Sequence, residues 1–218
     1  MNERLVWNFE INTQKLLELP LNHARFQEDV SRWEVRYFWP HHQFILIQGL
    51  IPECFTFANV KCKQHRDTYY LLKDYPYNIK HRRTDEGVKW VYKPLLDIKN
   101  NCQSFGKKIN LKQVEPDCLL EPSRLSAATL LSLIETQSMP VFVEKSALTY
   151  SLRSEPSIKI ELSRIQINGG AIFFSASIEG YSYEGVNTFR QRLFPQEKPS
   201  DYIEFLKQYI YQPVKAST

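Results

Sequence analysis

Nine Lys and Arg side chains fall between Lys61 and Lys93, in the run KCKQHRDTYYLLKDYPYNIKHRRTDEGVKWVYK. Only Asp67, Asp74, Asp85 and Glu86 oppose them, so this window carries +5 in a chain whose total is +4. The window also alternates. A strand shows successive side chains on opposite faces, so Lys80 and Arg82 share one face while Ile79 and His81 take the other. A sheet assembled from such strands has one face rich in positive charge, which is a surface for binding anions.

The same alternation recurs along the chain. Residues 33–39, 44–48, 56–63, 68–72, 78–83 and 89–93 read as strands, with Asp85-Glu86-Gly87 turning between the last two. Residues 105–112 are a further candidate. Segments 141–150, 157–167 and 172–181 follow, separated by the turn formers Arg153-Ser154-Glu155-Pro156 and Asn168-Gly169-Gly170. Helical spacing is confined to 125–136, to 186–193 before Pro195, and to a final helix that Ser200 can cap, with Ile203, Leu206 and Ile210 on one face. Residues 13–19 and 22–30 read as short helices broken at Pro20. The organisation predicted is a helical or irregular segment over 1–30, then one mainly β domain of the α+β class over 31–218, an antiparallel barrel or sandwich with a C-terminal helix.

Each strand pairs an apolar face with a polar one. Ile158, Ile160 and Leu162 oppose Lys159, Glu161 and Ser163; Phe174, Ala176 and Ile178 oppose Ser175, Ser177 and Glu179; Trp90 and Tyr92 oppose Lys89, Val91 and Lys93. Two architectures satisfy that pattern. One leaves the polar faces to solvent. The other turns them inward around a wet, charged tunnel and buries the apolar faces under helices. Periodicity alone does not choose between them.

Several function classes are excluded or disfavoured. With only 7 glycines and no G-x-G-x-x-G or Walker pattern, a glycine-rich nucleotide loop is not expected. No nucleophile elbow, zincin or kinase motif occurs. Cys54, Cys62, Cys102 and Cys118 form no C-x-x-C pair, which disfavours zinc, and they read as reduced packing residues. His41-His42 reads as a surface turn, whereas His65 and His81 lie within the basic window and add to anion binding when protonated. The start, MNERLVWNFE, has charge where a signal peptide would need an apolar core, so no leader is expected there, and no apolar run reaches the roughly 18 residues of a bilayer span. A soluble cytoplasmic protein is expected.

The order of residues carries a further signal. Arg66-Asp67-Thr68-Tyr69-Tyr70, then Ile79-Lys80-His81-Arg82, then Trp90-Val91-Tyr92-Lys93-Pro94 resembles the CYTH superfamily of triphosphate tunnel enzymes, most of all its thiamine triphosphatase branch. Phe142-Val143-Glu144-Lys145-Ser146-Ala147, the strand 157–165, and Ser177-Ile178-Glu179-Gly180 match later strands of that pattern in order. The resemblance implies a closed antiparallel eight-stranded barrel around a polar lumen. It implies that Lys80, Arg82, Lys93 and Lys145 clamp a triphosphate as the catalytic cations. Arg36, Lys63, Tyr69, Lys89 and Lys159 would complete the substrate contacts, and Glu34, Glu161 and Glu179 would hold Mg2+ or Mn2+. Several cations on rigid strands can hold an extended phosphate chain without reorganisation. A divalent ion would bridge its oxygens and orient a water for in-line attack.

The chain departs from the pattern at two places. The E-x-E-x-K strand that characterises the superfamily is absent. One placement puts Trp33, Val35 and Tyr37 at its motif positions; a shift by one gives Arg32, Glu34 and Arg36, which keeps more of the chemistry; Val6–Glu10 is a third, upstream candidate. In the closing strand Ser177 stands where a Glu is expected. Three functions follow as expectations: a metal-dependent hydrolase of thiamine triphosphate, inorganic triphosphate or a nucleotide; a polyphosphate- or nucleotide-binding module that has lost hydrolysis; and an RNA 5′-triphosphatase or single-stranded RNA binder that stacks bases on Tyr69, Tyr70, Tyr75, Tyr77 and Trp90. The partner is thus a small triphosphate or polyphosphate, or an RNA 5′ end, and no membrane. Self-association is not legible.

Overall fold

The structure is a computed structural model that describes residues 2–12, 24–48, 60–84, 87–152 and 154–212. In chain order its strands are β1 Asn2–Val6, β2 Phe9–Asn12, β3 Arg32–Pro40, β4 Ile45–Ile47, β5 Val60–Leu72, β6 Asn78–Thr84, β7 Gly87–Lys93, β8 Leu95–Lys99, β9 Cys102–Phe105, β10 Ile109–Asn110, β11 Leu119–Leu120 and β12 Leu125–Ser126. Helix α1 Ala127–Gln137 follows, then β13 Ser138–Ser151, β14 Lys159–Ile167, β15 Ile172–Gly180, α2 Tyr183–Leu193 and α3 Tyr202–Tyr211.

Ten strands make one antiparallel sheet in the order β10-β7-β6-β5-β13-β14-β15-β3-β9-β8. It curls into an open half-barrel, so the closed eight-stranded barrel implied by the sequence is corrected. The two ends of the sheet are nevertheless tied by the chain itself. Strand β7 lies near one end, β8 at the other, and only Pro94 separates them, its carbonyl accepting a bond from the Gly106 amide at 3.0 Å. Proline lacks an amide donor and cannot continue a ladder on both sides, so the strand breaks there and changes neighbours.

The alternation predicted from sequence resolves to apolar faces outward and polar faces inward. Trp33, Val35, Tyr37 and Trp39 of β3 pack on the convex side with Ile158, Ile160 and Leu162 of β14 and Phe174, Ala176 and Ile178 of β15. That face is covered by Val186, Phe189 and Leu193 of α2, and by Phe9, Ile11, Ile45 and Ile47 of the small sheet β1-β2-β4. A second outer layer sets Leu130 and Ile134 of α1 against Leu72, Ile79 and Tyr92. Each fully buried side chain of this size contributes about 1.5–3 kcal/mol of transfer free energy. The apolar faces are therefore held against helices, and the polar faces are left to line the hollow.

The third cluster closes the hollow at one end. Tyr202, Ile203 and Leu206 of α3 pack onto the inward side chains Leu71, Val141, Val143, Ile165 and Ile167, with Phe38 and Phe173 beside them. Asp201, not Ser200, caps α3, its Oδ1 accepting from the amides of Ile203 at 2.6 Å and Glu204 at 2.7 Å. Lys207 Nζ fastens the helix to the turn after β5 by donating to the carbonyls of Lys73 and Tyr75, each at 2.8 Å.

Other sequence expectations are corrected in detail. Residues 2–12 form a hairpin in place of a helical or irregular start, and 24–30 are not helical, although Arg25 bridges Glu155. The helix expected over 13–19, and Asp85-Glu86, lie outside the described residues. Segments 56–63 and 68–72 belong to a single strand, β5, as far as they are described, and 105–112 supplies only the end of β9 and the two-residue β10. The turn at Asn168-Gly169 is borne out: φ is 49° at Asn168 and 69° at Gly169. These positive values suit Asn and Gly and join β14 to β15 tightly.

Candidate functional site

The inward faces enclose a cavity of about 150 Å³. Strand β3 contributes Arg32, Glu34 and Arg36; β5 contributes Lys63, His65 and Tyr69; β6 contributes Asn78, Lys80 and Arg82; β7 contributes Val91 and Lys93. From the other side come Lys145 of β13, Glu161 of β14 and Glu179 of β15, with Lys108 and Tyr202 completing the wall. The three candidate placements of the first strand differ in what they face. Glu34 and Arg36 face the cavity, whereas Trp33, Val35 and Tyr37 lie in the outer core, and residues 6–10 belong to the β1–β2 hairpin and its turn.

The structure brings together Lys80, Arg82, Lys93, Lys145, Arg36, Lys63, Tyr69, Glu34, Glu161 and Glu179. It does not bring Lys89 or Lys159 into the wall. Lys89 lies opposite Arg82 in the β6–β7 register, outside the cavity lining, and Lys159 is exposed at the start of β14 opposite Glu179. Sequence reasoning missed Lys108, Tyr202, Asn78 and, above all, the role of Asp67. Asp67 shares the parity of His65 and Tyr69 on β5, a signal that was present but does not reveal a partner.

The charges are organised into chains of ion pairs. In the longest, Lys93 Nζ donates to Glu34 Oε2 at 2.7 Å, Arg36 Nε donates to Glu34 Oε1 at 3.0 Å, Arg36 Nη1 donates to Glu161 Oε1 at 3.3 Å, and Lys145 Nζ donates to the same oxygen at 2.9 Å. Arg36 also donates to Ser175 Oγ at 3.1 Å and Ser177 Oγ at 3.0 Å. Its guanidinium is therefore satisfied on every side. In a second group Asp67 accepts from Arg82 Nε at 2.7 Å, Arg82 Nη2 at 2.6 Å and Lys80 Nζ at 2.9 Å, and Lys80 also reaches the Tyr69 hydroxyl at 3.3 Å. Arg32 pairs with Glu179.

These pairs fix protonation. Burial works to raise the pKa of Glu34, but Lys93, Arg36 and Arg32 hold it well below the ordinary carboxylate value. Glu161 is likewise opposed by burial yet lowered to about 2 by Lys145 and Arg36, and Asp67 is lowered by Arg82 and Lys80. Burial lowers Lys80, Lys93 and Lys145, with their carboxylates pulling back. Lys108 faces cations on several sides. Partial burial together with Lys80, Lys93, Arg82 and Arg32 brings it down to about 8. His65 is brought down to about 4 by burial, Arg82 and Lys145, so it is neutral at pH 7.

Eight Lys and Arg side chains line this space against three carboxylates, with Asp67 beneath as a fourth. The excess is positive, and donors remain. A lysine ammonium has three N–H bonds and a guanidinium five. Lys145, paired once, and Arg82, whose Nη1 makes no bond to Asp67, both keep donors for a ligand.

A magnesium ion is commonly held by one or two carboxylates together with substrate phosphates and water, whereas an all-protein cage gathers several carboxylate oxygens at one point. Among the described residues no group of three or more His, Cys, Asp or Glu side chains is so arranged. The sequence-expected ligands Glu34, Glu161 and Glu179 each accept from a cation instead. Both oxygens of Glu34 are taken, by Lys93 and Arg36, while the pairs of Glu161 and Glu179 are made through Oε1. The aromatic residues expected to stack bases are also committed to one another: Tyr70 stacks on Trp90, Tyr75 on Tyr77, and Tyr69 on Tyr202. Among the described residues no helix is long and apolar enough to cross a membrane.

No protein-family model matches the chain, and no curated protein matches it. Solved structures with distant similarity include a conserved hypothetical protein from Pyrococcus furiosus, at 14% identity and TM-score 0.40 over 80% of this chain and 99% of that one. The PH1819 protein of Pyrococcus horikoshii is similar at 15% identity and TM-score 0.38, over 81% of this chain and 98% of that one. A protein described as a "putative adenylate cyclase" from Bacillus halodurans is similar at 13% identity and TM-score 0.37, over 76% of this chain and 94% of that one.

Proposed function

We propose that this protein binds the phosphate chain of a triphosphate or short polyphosphate inside the half-barrel, as a binding module and not as a hydrolase. The observation that carries this reading is the convergence of Lys80, Arg82, Lys93, Lys145 and Lys108 on one small cavity with a positive excess. A linear triphosphate carries several negative charges along a narrow rod, and cations on several different strands reach it from different sides. Arginine grips two oxygens at once and lysine supplies a point charge. The ordered match of these residues to the CYTH pattern supports the same ligand chemistry.

We favour binding over hydrolysis because Glu34, Asp67 and Glu161 are occupied by the cations they bind and are held below the ordinary carboxylate range, away from the near-neutral pKa that best suits a general base. Base stacking is the weaker reading, since Tyr70 and Trp90, and Tyr75 and Tyr77, already stack on each other and Tyr69 is buried against Tyr202. The test is calorimetric titration with sodium tripolyphosphate beside a phosphate-release assay on tripolyphosphate, thiamine triphosphate and ATP. Saturable binding that weakens steeply with salt, without phosphate release, is expected. Absence of binding overturns the reading, and turnover moves it to the hydrolase class.

A further inference from the structure

We infer that the cavity takes its polyphosphate without a divalent cation, Arg32 and Arg36 holding the carboxylates that a bound ion would have needed. This rests on the binding reading above and adds to it the ionic form in which the ligand is recognised.

The two departures from the expected motif are the two places where the structure builds in positive charge or room for it. Arg32 takes a position where the pattern calls for a carboxylate, and its guanidinium pairs with Glu179. Ser177 takes the other. A Glu there would add charge beside Arg36; the serine hydroxyl is short, neutral and accepts from Arg36 Nη2 at 3.0 Å. Ser175 does the same for Nη1 at 3.1 Å. Arg36 is thus seated in a socket of two hydroxyls and two carboxylates and is only 8% exposed. A fixed guanidinium between Glu34 and Glu161 occupies the space and the charge relationship that an ion bridging them would require.

Three consequences agree. Both oxygens of Glu34 and one each of Glu161 and Glu179 accept from protein cations, so an ion that drew in Glu34 would have to displace Lys93 or Arg36. The cations are spent only in part, so they keep donors for phosphate oxygens. The net excess of positive charge suits a bare polyanion better than its magnesium complex, in which much of the ligand charge is already cancelled. Arg36 acts as a positioning residue, aligning Lys93 through Glu34 and Lys145 through Glu161. Arg32 does the same for Glu179 from a more open position, with its side chain 32% exposed.

The experiment is calorimetric titration of the full chain with sodium tripolyphosphate, once in EDTA and once in excess MgCl2. Binding in EDTA that is equal to or tighter than in magnesium supports the inference. Binding that appears only with magnesium overturns it and leaves the anion-binding reading standing. Absence of binding in both buffers overturns that reading as well. Arg32→Gln, checked for folding by its thermal melt, is expected to lose about tenfold in affinity in EDTA. Arg32→Glu is expected to lose more in EDTA and to regain binding when magnesium is added. Unchanged affinity of a folded Arg32→Glu in EDTA overturns the role given to Arg32.

Discussion

Lys93 Nζ and Glu34 Oε2 meet at 2.7 Å although β7 and β3 are not neighbours in the sheet. Strands β6, β5, β13, β14 and β15 lie between them going round the curl. The contact joins two strands that no ladder pairs, and Glu34 passes it on to Arg36 and so to Glu161 and Lys145. One line of alternating charge thereby ties β7, β3, β14 and β13 together.

Glu34→Gln tests that tie. The substitution leaves Lys93 and Arg36 partly uncompensated in a setting where the Glu34 side chain is 12% exposed. Removing one partner of a buried pair costs about 3–5 kcal/mol, and for a chain of this size each kcal/mol moves Tm by about 2–4 °C. A fall in Tm of about 6–20 °C is expected in a calorimetric scan, and a variant melting with the wild type would show that the pair bears no structural weight.

Arg82→Ala is expected to weaken tripolyphosphate binding by about 1.5–3 kcal/mol, the range for a charge-assisted hydrogen bond. Lys145→Ala should behave alike. Lys159→Ala is the comparison, since Lys159 is exposed and outside the cavity wall. Equal losses in all three, measured by calorimetry, would mean that general surface charge governs affinity.

Lys108 gives a signature in pH. With its pKa pushed to about 8, it is part-deprotonated at pH 8 in the free protein. A bound polyanion favours the charged ammonium and raises that pKa, so binding takes up a proton and weakens as pH rises through 8. Titrations at pH 8 in buffers of different ionisation enthalpy should report this uptake. Lys108→Arg, which stays charged, should keep the binding and lose the uptake.

Acid should unfold the protein in a defined window. Glu34, Asp67 and Glu161 have folded pKa values below their unfolded ones. Their contribution is therefore complete above the usual carboxylate range and is lost as pH falls through the folded values, Glu161's being about 2. Urea denaturation at steps from pH 6 to pH 2 should show stability dropping below about pH 4.5. A flat profile there would contradict the ion-paired cavity.

Much of this arrangement was legible in the chain, and the remainder was not for identifiable reasons. Alternation in 157–165 correctly grouped Ile158, Ile160 and Leu162 against Glu161 and Ser163. It could not say which group faces inward, because a period of two fixes parity and not side. Strand β5 read as two because Gln64, His65 and Arg66 interrupt its apolar pattern. Strand β8 escaped notice since it is short and its register shifts between Leu95 and Asp97. Lys108 lies just before a strand of two residues, too short for any periodic signal. The ion pairs were invisible for a different reason. Arg36 meets Glu161 across 125 positions and Ser177 across 141, distances over which a sequence carries no pattern of its own.

The C-terminal helix sets the length of the hollow. Tyr202, Ile203 and Leu206 fill one end of it from inside, against Leu71, Val141 and Ile165, so the charged wall is confined to the remainder, and truncating α3 would be expected to lengthen the space and bare those apolar side chains to water.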